Sequence, residues 1–173
     1  MKRMTFLLAA LLLAPGAPAS AAMTLTSSDI APNAQIPSAQ IYPRCGGQNL
    51  SPQLAWSGAP AATKSLVLTM IDLDVKPALW SHWIVVDMPP GVTSLPGGAK
   101  SIPGKQVASN FGDAAYGGPC PPNGTGVHHY QFTIWAMPTA TTVIAPDSDA
   151  RKIAPELTKS ALAHASLTGW VKR

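Results

Sequence analysis

The chain has 173 residues, with 12 Lys and Arg against 8 Asp and Glu, for a formal net charge of +4. Lys2 and Arg3 supply two of those charges, so the remainder carries only +2. No basic stripe interleaved with aromatics occurs anywhere, which argues against a nucleic-acid partner.

The N-terminus joins Lys2 and Arg3 to an apolar run from Thr5 to Pro15 and then to the small residues Ala19, Ser20, Ala21 and Ala22. That is the layout of a secretory signal peptide. The run is shorter than the ~20 residues of a membrane-crossing helix, and no later segment approaches that length. The expectation is a signal peptide over 1–22, cut after Ala21 or Ala22, with a retained N-terminal anchor as the alternative. The product would be exported, periplasmic or extracellular, without a transmembrane anchor. About 150 residues follow, the usual size of one domain, here 23–173.

Cys45 and Cys120 are the only cysteines. An even count in an exported chain favours a disulfide, the alternative being two buried thiols. Neither has a second cysteine at CxxC spacing, which weighs against a metal site.

Short apolar segments rich in Val, Ile, Thr and Trp alternate with Pro and Gly, a strand-and-turn pattern. Ser65 to Ile71 is apolar almost throughout, as in a strand buried on both faces, and His82 to Met88 is similar. A third strand, Tyr130 to Met137, places Tyr130, Phe132, Ile134 and Ala136 on one face. Toward the C-terminus Ile153, Leu157, Ala161 and Leu162 recur at helical spacing. Asp147, Ser148 or Asp149 is placed to cap this helix. Pro155 fits a first turn, so the helix is expected from about residue 154 to His164, with a last strand from Ser166 to Val171. The pattern as a whole predicts an all-β antiparallel sandwich with a short C-terminal helix.

Three stretches carry ionisable groups. Asp72 and Asp74 follow the first apolar strand, where strand geometry would set both carboxylates on one face. Carboxylates that close repel, so one is expected to hold a proton or to give its charge to a histidine or another cation. The bland alternative is a solvated loop. His82 stands between Trp80 and Trp83, as a hydrogen-bond donor to an anion or simply as a packed residue. The segment 116–130, YGGPCPPNGTGVHHY, is stiffened by proline and allows close backbone approach at Gly117 and Gly118, features that suit anion recognition. Strand alternation puts His128 and Tyr130 on one face and His129 on the other.

These segments together resemble the phosphatidylethanolamine-binding protein family, and more closely its bacterial branch of Raf-kinase-inhibitor-like proteins. The resemblance spans CGGQNLSPQLAWSGAP at 45–60, DLDVKP at 72–77, SHWIVVDMP at 81–89, NFGDAAYGGPCPPNGTGVHHYQFTIWAM at 110–137 and LAHASLTGWVKR at 162–173. It implies a β-sandwich with a small pocket for phosphate-like anions. Asp72 and Asp74 match the family's D-x-D pair, His82 its first pocket histidine, Gly118 and Pro119 its pocket loop, and His128 and Tyr130 its H-x-Y. Position 129, often arginine in the family, is His129 here. One more residue than usual separates Asp74 from Pro77, and the segment from Pro77 to Trp80 is short, so the pocket rim differs in shape.

By this likeness the Gly118 amide, the Tyr130 hydroxyl and a His82 ring N–H would hold the anion's oxygens. A protonated Asp72 or Asp74 would add a donor, and His128 would orient the carboxylates or touch the ligand. Trp83 would wall the site, and binding that relies on a shared proton would weaken as pH rises. The reading is an exported binding protein for a phosphate-type anion or phospholipid headgroup, without a cofactor and not an enzyme. Ser81 adjoins His82, yet strand neighbours face opposite ways and make no nucleophile–base pair. Two other classes are kept: a protein-interaction or inhibitor module outside the cytoplasm, and a metal-dependent enzyme built on Asp and His. The sequence does not identify a protein partner, and homodimerisation, plausible for bacterial relatives, is left open.

Overall fold

The computed structural model describes residues 22–145 and 150–173; the expected signal peptide, apart from Ala22, and the expected capping residues Asp147, Ser148 and Asp149 lie outside the described residues. Two antiparallel sheets face each other. The smaller has the order β1-β2-β5, from β1 (Thr24–Thr26), β2 (Leu54–Ser57) and β5 (Ser94–Leu95). The larger has the order β6-β4-β3-β7-β8, from β3 (Ser65–Asp72), β4 (Trp80–Met88), β6 (Lys105–Gln106), β7 (Val127–Met137) and β8 (Ala163–Lys172). The three long central strands coincide with the apolar runs of the sequence. The short strands of the smaller sheet carry no comparable pattern.

The main core fills the space between the sheets. β3 contributes Leu66, Leu68 and Met70, and β7 contributes Tyr130, Phe132, Ile134 and Ala136, against Leu25, Leu54, Trp56 and Leu95 of the smaller sheet. Alternation sends Val67 and Trp135 to the other face, where they join Ile153 and Leu157 of helix α1 (Ala150–Ser160) in a second cluster. Every residue of β3 is buried because both of its faces are covered.

The helix differs from the sequence expectation at both ends. Pro155 lies inside it rather than in a first turn at 154, because the apolar stripe of Ala150, Ile153 and Leu157 is seated on the sheet. It stops before His164 because the sheet captures the chain. The Ala161 amide still donates to the Leu157 carbonyl at 2.8 Å, but the Leu162 amide donates to Ala136 of β7, also at 2.8 Å. From Ala163 onward β8 pairs with β7 for ten residues, so the last strand starts three residues earlier than expected.

Residues 33–36 run along the outer edge of β8 as a strap. The Asn33 amide donates to Thr168 and the Ile36 amide to Trp170, while the Trp170 amide donates to Ala34, at 2.8, 2.9 and 2.9 Å. Gly169 makes room for it: a Cβ there would lie 2.7 Å from Ile36 Cγ1 and 3.0 Å from Ile30 Cγ2.

Candidate functional site

The inner face of β3 runs Leu66, Leu68, Met70 and then Asp72, so the strand that builds the core ends on a buried carboxylate. Tyr130 of β7 is its register partner, and His128 follows on the same face. On the other side Met70 pairs with Trp83 while Ile71 pairs with Ser81, which leaves His82 as an extra residue in β4. A bulge of this kind re-aims side chains. Here it lets His82 face the same cavity as Asp72, although Trp83 remains in the core.

The cavity has a volume of about 370 Å³. Asp72, His82, His128 and Tyr130 are its polar groups; Val75, Trp80, Phe111, Cys120, Pro121 and Pro122 complete the wall. The His82 ring stands edge-on to Tyr130 and tilted against Phe111, with centroids 5.1 Å away in each case. Trp80, not Trp83 as expected, walls this site; Trp83 lines a separate hollow with Lys100 and Gln106.

Asp72 is fully engaged. Its Oδ2 accepts from Nδ1 of His128 at 2.7 Å, and its Oδ1 accepts from the Asp74 amide at 2.9 Å. The second contact is an Asx turn, in which an aspartate side chain captures the backbone two residues on. It ends the strand geometry, so Asp74 does not share a face with Asp72 as the sequence suggested. Asp74 lies outside the cavity, where Oδ2 accepts from both the amide and Nδ1 of His129, at 2.7 and 2.8 Å. The crowding of two carboxylates is thus relieved by giving each its own histidine, on opposite sides of β7. Burial alone would raise the Asp74 pKa, but the two hydrogen bonds from His129 and the charges of His129 and His128 bring it below its usual value.

His82 has its Nδ1 2.8 Å from the Gly117 carbonyl. Its burial lowers the pKa, only partly opposed by that hydrogen bond and by the charge of Asp72, so the ring is held toward its neutral form. Tyr130 has a buried hydroxyl that finds no hydrogen-bond partner among the described residues. Burial first, then the negative charge of Asp72 and a side-chain interaction with it, push its pKa well above the usual phenol value. It therefore remains a neutral O–H donor.

The loop carries Gly118 and Pro119 behind the cavity wall. The Gly118 amide donates to Asn49 Oδ1 at 2.7 Å and the Pro119 carbonyl accepts from the Tyr42 amide at 3.1 Å, so the expected Gly118 contact to an anion is already spent. Gly118 is there for space: an added Cβ would collide with the Gln40 carbonyl and lie 2.7 Å from the Tyr42 nitrogen. Next in the chain, Cys120 is joined to Cys45 with a Cα separation of 5.5 Å, as the even cysteine count suggested. The Arg173 guanidinium lies over this disulfide, with Nη1 2.6 Å from Cys45 Sγ and 3.3 Å from the Pro121 carbonyl. Among the described residues no three His, Cys, Asp or Glu side chains are grouped to hold a metal ion.

A two-sheet sandwich with a buried Asp–His–Tyr cavity at one end of its central strands is the class of protein this geometry defines. The profile of the family described as phosphatidylethanolamine-binding protein matches residues 26–172, and the chain belongs to that family. It is 35% identical over 159 residues to YbcL of Escherichia coli, covering 86% of this chain and 87% of that one. The YbcL crystal structure, described as a member of the mammalian family, superposes with a TM-score of 0.78 over 88% of this chain and 99% of that chain. A Mycobacterium tuberculosis protein provisionally named lipoprotein LppC is 37% identical over 153 residues, covering 88% of this chain and 74% of that one.

Proposed function

We propose that the cavity binds a phosphate-type anion, free or as the headgroup of a phospholipid, and that the protein works as an exported binding protein. The observation that carries this reading is the Tyr130 hydroxyl, a buried neutral donor with no partner among the described residues, beside two histidines at the cavity floor. A buried polar group without a partner costs free energy, and a bound acceptor would relieve that cost. Family membership supports the reading through the binding function in the family's name. The apolar rim of Val75, Trp80 and Phe111 suits a ligand whose anionic end enters first and whose substituent stays at the mouth.

One feature favours binding over catalysis. Ser81 does not address His82: its hydroxyl donates to Asn110 Oδ1 at 2.9 Å and accepts from the Asn110 amide, also at 2.9 Å. A serine used in this way is not set up as a nucleophile. An exported setting is supported by the signal-like N-terminus and by the name of the LppC relative. No helix among the described residues is long and apolar enough to cross a membrane.

Calorimetric titration with phosphorylethanolamine, inorganic phosphate and vesicles containing phosphatidylethanolamine tests the proposal. Saturable binding is expected in the wild type and absent in a folded Asp72→Ala, His128→Ala double variant. Binding of the soluble compounds alone would assign the site to free phospho-ligands, and vesicle binding alone to lipid headgroups. No binding to any of the three, at concentrations reaching the millimolar range, would overturn the proposal.

A further inference from the structure

An oxyanion offers acceptors, so its site must supply donors. This cavity is short of them. The Gly117 amide donates to the His82 carbonyl at 3.0 Å and the Gly118 amide to Asn49. Pro119, Pro121 and Pro122 have no N–H, so the loop from 117 to 122 retains only the Cys120 amide. Apart from the histidines, the lining side chains add as donors the Tyr130 hydroxyl and, in the wall, the Trp80 indole N–H.

The two histidines do not make up the deficit in their neutral forms. The carbonyl of Gly117 can only accept, so Nδ1 of His82 carries the hydrogen, and Nε2 of the neutral ring is a lone pair. The same logic applies to His128, whose Nδ1 donates to the Asp72 carboxylate and whose Nε2 is then also a lone pair. Each Asp72 oxygen already takes an N–H donor, one from its own backbone turn and one from His128, so this side chain is turned toward the protein. A dianion entering this cavity would meet two lone pairs and a carboxylate, set against a few neutral donors.

One added proton reverses that balance. On His82 it would place a charge in a buried ring whose hydrogen-bond partners are neutral carbonyls, where desolvation outweighs both these and the charge of Asp72. On His128 it would lie on a ring already backed by the Asp72 carboxylate, which stabilises an imidazolium. We infer that the pocket takes up its oxyanion together with one proton, held at Nε2 of His128 between the ligand and Asp72. The inference rests on the anion reading above and specifies the protonation state in which that site works.

The charged and titratable groups around His128 come from every neighbouring strand. Asp72 and Asp74 stand at the end of β3 and just beyond it, His82 on β4, and His129 and Tyr130 on β7 itself. β8 places Val171 opposite His128 and continues into Lys172 and then Arg173, which is held at the disulfide. The sign follows from linkage: the anion binds the protonated site, so affinity falls as pH rises.

Sulfate is the cleanest probe, because near neutrality it carries no proton of its own. Titration at about pH 8 in two buffers of different ionisation enthalpy is expected to show uptake of about one proton per sulfate bound. Affinity is expected to fall about tenfold per pH unit on the alkaline side. His128→Gln, which retains an amide donor but cannot titrate there, is expected to bind measurably with neither uptake nor pH dependence. If only phosphorylethanolamine binds, its own titration is subtracted and the same uptake is required.

Binding by the wild type without proton uptake would leave the anion site standing and overturn this inference. Uptake that persists in folded His128→Gln would also overturn it, by placing the proton elsewhere. Failure of the folded wild type to bind either probe would overturn this inference, and failure to bind phosphatidylethanolamine vesicles as well would overturn the anion reading on which it rests.

Discussion

The Tyr130 hydroxyl sits beside Asp72 in a place that water cannot freely reach. Its unsatisfied desolvation costs about 1–3 kcal/mol, whereas the ring itself packs in the core. Tyr130→Phe is therefore expected to leave stability unchanged or raise it by about 1 kcal/mol, while weakening anion binding about tenfold, the worth of one hydrogen bond to a charged ligand. Denaturant unfolding and calorimetry on one preparation read both effects. At this scale spacing by two put His128 and Tyr130 on one strand face, while the meeting of these two with Asp72 and His82 was implied by the family resemblance. The sequence did not foretell that Asp74 would turn away, since the Asx turn is a choice of the backbone. Nor could it show Asn49 reaching Gly118 across 69 positions of sequence.

Elements divide the work between the two faces of the larger sheet. The cavity opens at the end of the inner face, whereas α1 packs on the outer face through Ile153 and Leu157. Leu157→Ala is expected to cost about 2–4 kcal/mol by creating a cavity there. The affinity for phosphorylethanolamine should be unchanged in the folded variant, and a loss of binding in proportion to the loss of stability would show that the helix supports the site. The long strands were legible because burial on both faces leaves continuous apolar runs. The limits of the helix were not: β7 offers the chain a ladder of hydrogen bonds from Leu162 onward, and helical periodicity carries no record of that offer. The His82 bulge and the short strands β1, β2, β5 and β6 were equally silent, since each depends on partners distant in sequence.

For the molecule as a whole, the disulfide closes a loop of 75 residues and joins the segment that bears Asn49 to the loop that walls the cavity. Loop-closure entropy gives this link about 4 kcal/mol of stability. A Cys45→Ser, Cys120→Ser double variant is expected to melt about 10 °C lower and to bind the anion more weakly, because Cys120 itself lines the site. Thermal scans and calorimetry below the transition distinguish the two losses, and unchanged affinity would show that the wall keeps its shape without the link. The two-sheet architecture was readable from the alternation of apolar runs with Pro and Gly, although the pairing order of the sheets was not. The strap at residues 33–36 has a further consequence for association between copies. An uncovered outer strand invites another chain to extend the sheet, the commonest route from a β-protein to an aggregate. The strap occupies backbone groups of β8 at Thr168 and Trp170, and at the opposite border β6 is only two residues long. Neither border offers a long template, so a pair of these molecules would meet through side chains rather than through a continuous sheet.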